Sequence, residues 1–512
     1  MERSRLGTGY IEARQSGSKD LEDAMSSQPN ILVICTDQQR FDALGCYGNR
    51  FVQTPTIDAL AAEGALFENC YVQSPICAPS RASLFTGLYP HNHGLWANGV
   101  TLPAHKVMFT RILANAGYDC GMIGKQHFAA CQDSRVEPRQ DDGYRVFEWA
   151  HDPYYPAVGN HYHEWLSEHF PDLYRRAMDN WTKSELSREP LVFDLLPTEA
   201  HYSRWVADRA IAFVRDRPRA DQPFFLIANF FDPHHPFGAP KEYMERYDGA
   251  KLPHPLGGAD DLEGRPALLR QASLHSYAGT AFGFRDYSAE EIQAIKAGYY
   301  AMVSLIDDEV ARILAILESE GLRTNTVIVF TSDHGEMLGD HRLLLKGPMM
   351  YECAVKVPLL LSWPGRIARD VRRTELVQWI DLAPTFMDVA SLPRQSRMQG
   401  SSLMPLASTA AAQPSWRDWA WCEYRNSGHP YDPAVHTTML RSGDMKLVAW
   451  HGAPATNRPR EGELYDLAND PHEMNNLYSA PDYETIRNRL YELMVDVFVA
   501  TEDRSQPRMA DW

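Results

Sequence analysis

Asn30-Ile31-Leu32-Val33-Ile34-Cys35-Thr36-Asp37-Gln38-Gln39-Arg40 is the stretch on which the fold turns. Its apolar run is continuous and therefore has no polar face. That describes a strand covered on both sides, as inside a parallel sheet packed between helices. The run stops at Asp37, and open α/β sheets place their chemistry beyond the carboxyl ends of their strands. Taken alone, Asp37 reads equally as a helix N-cap. A second run bears on that choice: Thr326-Val327-Ile328-Val329-Phe330-Thr331 delivers Ser332-Asp333-His334-Gly335-Glu336. Two strand-end carboxylates, one beside a histidine, are what a metal site assembled across neighbouring strands looks like.

Working outward, two more strands end in polar groups. Gly117 to His127 runs into Lys125 and His127, and Pro223 to Phe231 runs into Asp232-Pro233-His234-His235-Pro236. Helical spacing separates these strands at Thr56–Gly64, 106–116, about Thr198–Arg215 and Ala289–Glu320, the last closed by Gly321. Ala65–Tyr71 and Val357–Trp363 read as further strands, and Leu376–Ala390 as a helix. This alternation gives an α/β fold with a large, mostly parallel sheet flanked by helices. Pro, Gln and Ser-rich sequence past 391 marks a boundary. Beyond it, Thr437–Leu440 and Met445–Trp450 pair as a hairpin about Arg441-Ser442-Gly443-Asp444, and a helix over Tyr483–Ala500 closes the chain. The expected units are a tail at 1–28, a catalytic domain at 29–390 and a smaller α+β subdomain with an antiparallel sheet at 391–512. Segments 132–200 and 240–287 read as insertions that shape a pocket.

The reactive residue is sought in Ser74-Pro75-Ile76-Cys77-Ala78-Pro79-Ser80-Arg81-Ala82-Ser83-Leu84-Phe85-Thr86-Gly87. Turn formers followed by a helix-like run put a thiol at the mouth of a helix, where backbone N–H groups and the dipole favour an anion. Arg81, one turn on, faces the same way. A thiolate phosphatase is a rival, but the short spacing from Cys77 to Arg81 leaves too few backbone N–H groups to cradle phosphate.

Composition narrows the function. The chain has 512 residues, 44% of them hydrophobic, enough for a large core. Asp and Glu outnumber Lys and Arg by 67 to 50, a formal charge of −17, so there is no basic field for nucleic acid and an anionic substrate needs local cations. The eight cysteines contain no C-x-x-C pair and read as reduced thiols. Residues 1–28 lack the apolar core of a signal peptide and no later run approaches a membrane span. The expectation is a cytoplasmic protein without a membrane partner; a homo-oligomer is left open.

Cys77-Ala78-Pro79-Ser80-Arg81 resembles the sulfatase signature C-x-P-S-R, in which the cysteine is oxidised to formylglycine. Gly117-Tyr118 through Gly124-Lys125-Gln126-His127 resembles the second signature of that family, with Cys120 where Ser or Thr is usual. His234 before Pro236, Lys346, and the tail segments Glu463–Leu467 and Asp470–Leu477 are similar to further family motifs. The resemblance covers most of the chain and implies the alkaline-phosphatase-like fold. It also implies one divalent cation, Ca2+ or Mn2+, held by Asp37, Gln38, Cys77, Asp333 and His334. Catalytic roles carry over to Cys77, Arg81, Lys125, His127, His234 and Lys346. The implied substrate is a small sulfate ester, and the implied maturation partner is a formylglycine-generating enzyme. Many sulfatases carry Asp and Asn where this chain has Gln38 and His334. Phosphonate monoester hydrolases share the present arrangement, which keeps a phosphorus ester as the alternative. Lys125-Gln126-His127 matches the sulfatases, since the phosphonate enzymes are threonine-rich there.

Overall fold

The computed structural model describes residues 28–131, 135–154, 157–184, 196–408, 415–453 and 455–503, with no side-chain description for 180–184. The expected tail lies outside the described residues apart from residue 28, as do parts of the 132–200 insertion. The central sheet has eight strands: β1 (Asn30–Thr36), β2 (Ala65–Phe67), β3 (Asp119–Gly124), β4 (Val146–Trp149), β5 (Phe224–Asn229), β6 (Thr326–Ser332), β7 (Leu359–Ser362) and β8 (Val371–Arg373). Their spatial order is β8-β2-β7-β6-β1-β5-β3-β4. All neighbours are parallel except around β7, which runs antiparallel to β2 and β6.

β1 shows why an unbroken apolar run was required. Ile31, Val33 and Cys35 point into one buried cluster and Leu32 and Ile34 into the other, so both faces are packed. Helices Cys77–Thr86, Phe109–Asn115 and Leu382–Val389 cover the first face. Tyr202–Arg215 and Ala289–Ser319 cover the second. The long helix starts at a capping box, in which Ser288 Oγ accepts from Glu291 N and the Glu291 carboxylate accepts from Ser288 N. Its Ile292, Ile295, Tyr299, Met302, Ile306, Val310, Ile313 and Leu317 are buried, as their spacing requires.

A second sheet, β9 (Trp419–Arg425), β10 (His436–Ser442), β11 (Met445–Trp450) and β12 (Glu461–Asp466), is antiparallel throughout. Leu490, Met494 and Val497 of the Glu484–Ala500 helix close one of its faces.

Three sequence expectations are corrected. The segment 132–200 is not wholly an insertion, because β4 extends the central sheet within it. Ala65–Tyr71 is broken: Ala65–Phe67 joins the central sheet while Cys70–Tyr71 joins a separate three-stranded one. The helix placed at 376–390 forms only over Leu382–Val389, because Val377–Gln378 is drawn into pairing with Cys70–Tyr71.

Candidate active site

Register places the first two carboxylates. Thr36 of β1 stands opposite Ser332 of β6, so the next residue on each strand is Asp37 and Asp333. On the other side, Asn229 of β5 stands opposite both Cys35 and Gly124, which brings Lys125 to the same edge. Gly124 has φ +93, and a Cβ there would lie 2.0 Å from the Asn229 carbonyl oxygen, so only glycine lets the chain turn toward Lys125. Gln38 and His127 also sit at φ +68. Such backbone costs ~1–3 kcal/mol and persists only where surroundings enforce it. For Gln38 they do: its N–H donates to Asp333 Oδ1 at 3.0 Å and its carbonyl accepts from Tyr299 Oη at 2.8 Å.

Cys77 begins its helix and is 1% exposed. Ser80 Oγ donates to the Asp333 carbonyl at 2.6 Å, seating the helix against the end of β6. Arg81 Nε donates to Asp333 Oδ2 at 2.8 Å, and its other nitrogens reach Asp37 Oδ2 at 3.3 Å, the Lys125 carbonyl at 2.8 Å and Asn229 Oδ1 at 3.2 Å. The guanidinium is therefore committed to the ends of β1, β3, β5 and β6. It clamps these four ends together with four of its five N–H groups.

One donor atom each of Asp37, Cys77, Asp333 and His334 lies within 4.8 Å of the others. His334 Nε2 is 3.6 Å from an oxygen of each carboxylate and 3.1 Å from Cys77 Sγ. Ligands at right angles around a cation at ~2.1–2.5 Å stand ~3–3.5 Å apart, so the set fits a hard divalent ion. Cys77 Sγ marks where a side-chain oxygen of an oxidised residue 77 would stand. Gln38 Oε1 accepts from Lys346 Nζ at 2.8 Å, the same ammonium that reaches Cys77 Sγ. Gln38 Nε2 donates to Glu336 Oε2 at 2.5 Å, and Glu336 is itself fixed by the N–H groups of Leu338 and Leu345. Glu336 is thus the residue that turns the Gln38 carbonyl toward the site, a role its sequence position three after Asp333 did not reveal.

Two ammonium groups face Cys77. Lys346 Nζ is 3.0 Å and Lys125 Nζ 3.8 Å from Sγ, and Lys125 pairs with Asp37 Oδ2 at 2.6 Å. Burial alone would raise the Asp37 carboxyl, but the cations Lys125, Lys346 and Arg81 outweigh it and hold the group well below the ordinary range. Burial and Asp37 push the Cys77 thiol up; Lys125, Lys346 and His334 pull it down further, to about 5. Burial disfavours charge on both lysines, yet Asp37 and Cys77 keep each above its usual value. The pocket is built to hold negative charge.

The histidines flank this network. His234 Nδ1 lies 2.6 Å from the His235 carbonyl oxygen and its ring stacks on His235 with centroids 4.0 Å apart. Burial and Lys346 hold both rings neutral. His235, outside the catalytic set implied by the resemblance, faces the site too, 3.3 Å from Gln38 Nε2. Tyr277 lies beyond it at 5.6 Å and stacks on His429 at 5.1 Å, with its hydroxyl buried and without a hydrogen-bond partner. His127 sits behind Lys125, edge-on to His151 at 4.4 Å.

A family model for sulfatases matches residues 29–392, and one described as the C-terminal part of N-sulphoglucosamine sulphohydrolase matches 339–499. An uncharacterized sulfatase, YidJ, of Escherichia coli is 30% identical over 480 residues, covering 92% of this chain and 87% of its own. An N-acetylglucosamine-6-O-sulfatase of Bacteroides thetaiotaomicron is 26% identical over 92% of this chain and 86% of its own. Among solved structures, the phosphonate monoester hydrolase of Agrobacterium radiobacter has a TM-score of 0.78 at 24% identity, covering 94% of this chain and 98% of that one. A protein solved with its substrate D-glucosamine-2-N,6-O-disulfate has a TM-score of 0.75 at 24% identity, covering 94% and 100%. Those two likenesses establish the shared fold, and the family matches go further: the chain belongs to the sulfatase family and is a sulfuric ester hydrolase.

Proposed function

We propose that the chain hydrolyses a sulfate monoester to an alcohol and inorganic sulfate, with Cys77 oxidised to formylglycine and one divalent cation, Ca2+ or Mn2+, held by Asp37, Gln38, residue 77, Asp333 and His334. The observation that carries this is the convergence of four donor side chains within 4.8 Å, with two ammonium groups facing the same atom. Formylglycine supplies a hydrated aldehyde whose hydroxyl is the nucleophile, and the cation adds positive charge where the ester oxygens gather.

The chain's own groups do the rest. Lys125 and Lys346, held charged, neutralise the sulfate oxygens that otherwise repel a nucleophile. Asp333, whose carboxyl burial raises despite Arg81, accepts the nucleophile's proton. His234 is neutral in the free protein; an anionic ester beside it favours its charged form, which equips it to protonate the leaving oxygen. His127, also neutral, takes the proton that releases sulfate. Arg81 holds both aspartates in place and so acts as a positioning residue. Tyr277 and His429 give the alcohol an aromatic wall suited to a sugar or an aryl ring.

With Cys77 1% exposed, a formylglycine-generating enzyme would have to reach it before the chain closes. All eight cysteines are free, which supports a reducing, cytoplasmic setting, and no described helix is long and apolar enough to cross a membrane. A second reading, phosphonate monoester or phosphodiester hydrolysis, is favoured by one feature, the Gln38 and His334 pair in the ligand set. Sulfate, phosphonate and phosphodiester esters of one aryl alcohol distinguish the two. The expected result is a kcat/KM at least ~10-fold higher for the sulfate; a preference for phosphorus refutes the proposal.

A further inference from the structure

Behind Lys125 the chain gathers a second set of metal-ligating side chains that the sulfate chemistry does not require as a set. His127, Cys131 and His151 each offer one donor atom, and all three donors lie within 4.8 Å of one another. His127 is 6% and Cys131 4% exposed. His127 Nδ1 and His151 Nε2 are both buried without a hydrogen-bond partner, a costly state for imidazole nitrogens that a ligand would relieve. Burial and the nearby Lys125 cation keep both rings neutral, the form in which imidazole coordinates.

The surroundings hold these groups in place from outside. Glu137 accepts hydrogen bonds from the backbone N–H groups of His127 and Phe128 and, at 2.7 Å, from Trp149 Nε1 at the end of β4. One buried carboxylate therefore ties the loop carrying His127 to the strand end that leads into His151. His127 is held at φ +68, which sets the direction of its Cα–Cβ bond. An orienting carboxylate around imidazole ligands is what metal centres use to set ligand geometry, although here it acts through backbone and indole.

We propose that His127, Cys131 and His151 form a binding site for a thiophilic divalent cation of the Zn2+ class, and that its occupation inhibits the enzyme by withdrawing His127 from catalysis. Two imidazoles and a thiolate are a borderline-soft donor set, which selects Zn2+ over the hard ions that suit the carboxylate-rich site at Asp37 and Asp333. Ligands of a tetrahedral zinc stand ~3.3–3.8 Å apart, so side-chain rotation of about 1 Å closes the site, with water in the fourth position. Binding releases the Cys131 thiol proton to solvent. The inhibition rests on the role proposed above for His127; the binding does not.

The two parts are tested separately. Co2+ is titrated into the full chain carrying Cys77→Ser, which removes the thiol of the catalytic site. The expected result is a thiolate-to-cobalt charge-transfer band that disappears when Cys131→Ser is added. If no such band forms, or if it survives Cys131→Ser, the site is refuted. Zn2+ inhibition is then measured on the mature enzyme with the catalytic metal in excess, each variant being compared with its own zinc-free rate. Cys131→Ser is expected to raise the inhibitory concentration at least ~10-fold, and His151→Gln, an independent ligand loss, to do the same. Equal sensitivity of both variants and the parent, with circular dichroism showing them folded, overturns the inhibitory role even if cobalt binds.

Discussion

Of the buried ionic clusters among the described residues, two are built differently. At the seam with the second sheet, Lys446 Nζ pairs with Glu352 Oε1 at 3.0 Å and Glu473 Oε1 at 2.8 Å. Glu352 is met again by Lys356 at 3.4 Å, Arg441 at 3.6 Å and the Tyr71 hydroxyl at 2.6 Å. Every charge there ends on a partner, and the cluster bolts β10 and β11 to Glu352 and Tyr71. At the strand ends around Cys77, Arg81 and Lys125 are spent on Asp37 and Asp333, but Lys346 has no carboxylate within ion-pair distance among the described residues. It leans instead on Gln38, Cys77 and His334. A saturated cluster holds sheets together; one with a cation left over holds a ligand.

The comparison can be broken by exchanging losses. Cys77→Ala is expected to lower kcat by about 10⁴ or more while leaving the thermal midpoint unchanged, measured by sulfatase assay and melting in parallel. An equal loss of stability would make Cys77 a core residue. Lys446→Met should do the reverse, destabilising by about 3–5 kcal/mol in denaturant titration because buried Glu473 loses its cation and Glu352 keeps only Lys356 and Arg441, with kcat per folded molecule retained. Lys346→Ala is expected to reduce kcat/KM by ~10²–10³ at little cost in stability, since its charge serves a substrate and not an ion pair.

The smallest effect concerns pH. Glu423 of β9 accepts from the His91 N–H at 2.9 Å and bonds the His91 ring at 2.8 Å, docking the second sheet beside the end of the Cys77 helix. Burial would raise this carboxyl, but Arg425 and His91 bring it down to about 2 from 4.5. A depressed folded value gives stability that is present above about pH 4.5 and lost as pH falls toward 2, amounting to at most ~3 kcal/mol. Glu423→Gln should flatten that acid limb in melting experiments between pH 5 and 3; an unchanged limb would assign the acid sensitivity to other groups.

Much of the site was legible because strand ends announce themselves. Ile31–Thr36 and Thr326–Ser332 have no polar face, so the residues after them, Asp37 and Asp333, had to emerge side by side wherever the strands paired. Cys77, Lys125 and Lys346 were legible through motif spacing. What was hidden depends on contacts between distant segments. Arg81 was placed correctly, but spacing cannot show that four strand ends already occupy its guanidinium. β4 was missed because four residues amid aromatics carry too little periodicity. Glu137 escaped notice for a similar reason: its value lies in joining His127 to Trp149, and nothing local marks a carboxylate that bonds a backbone N–H on one segment and an indole N–H on another.

The most direct test of the account is the mass of the tryptic peptide Phe51–Arg81, which carries both Cys70 and Cys77, from protein purified out of aerobically grown native cells. The account predicts an aldehyde in place of the thiol at Cys77 alone, with Cys70 unmodified as a buried strand residue and the aldehyde fraction tracking specific activity across preparations. Full sulfatase activity from a peptide with both thiols intact would contradict it.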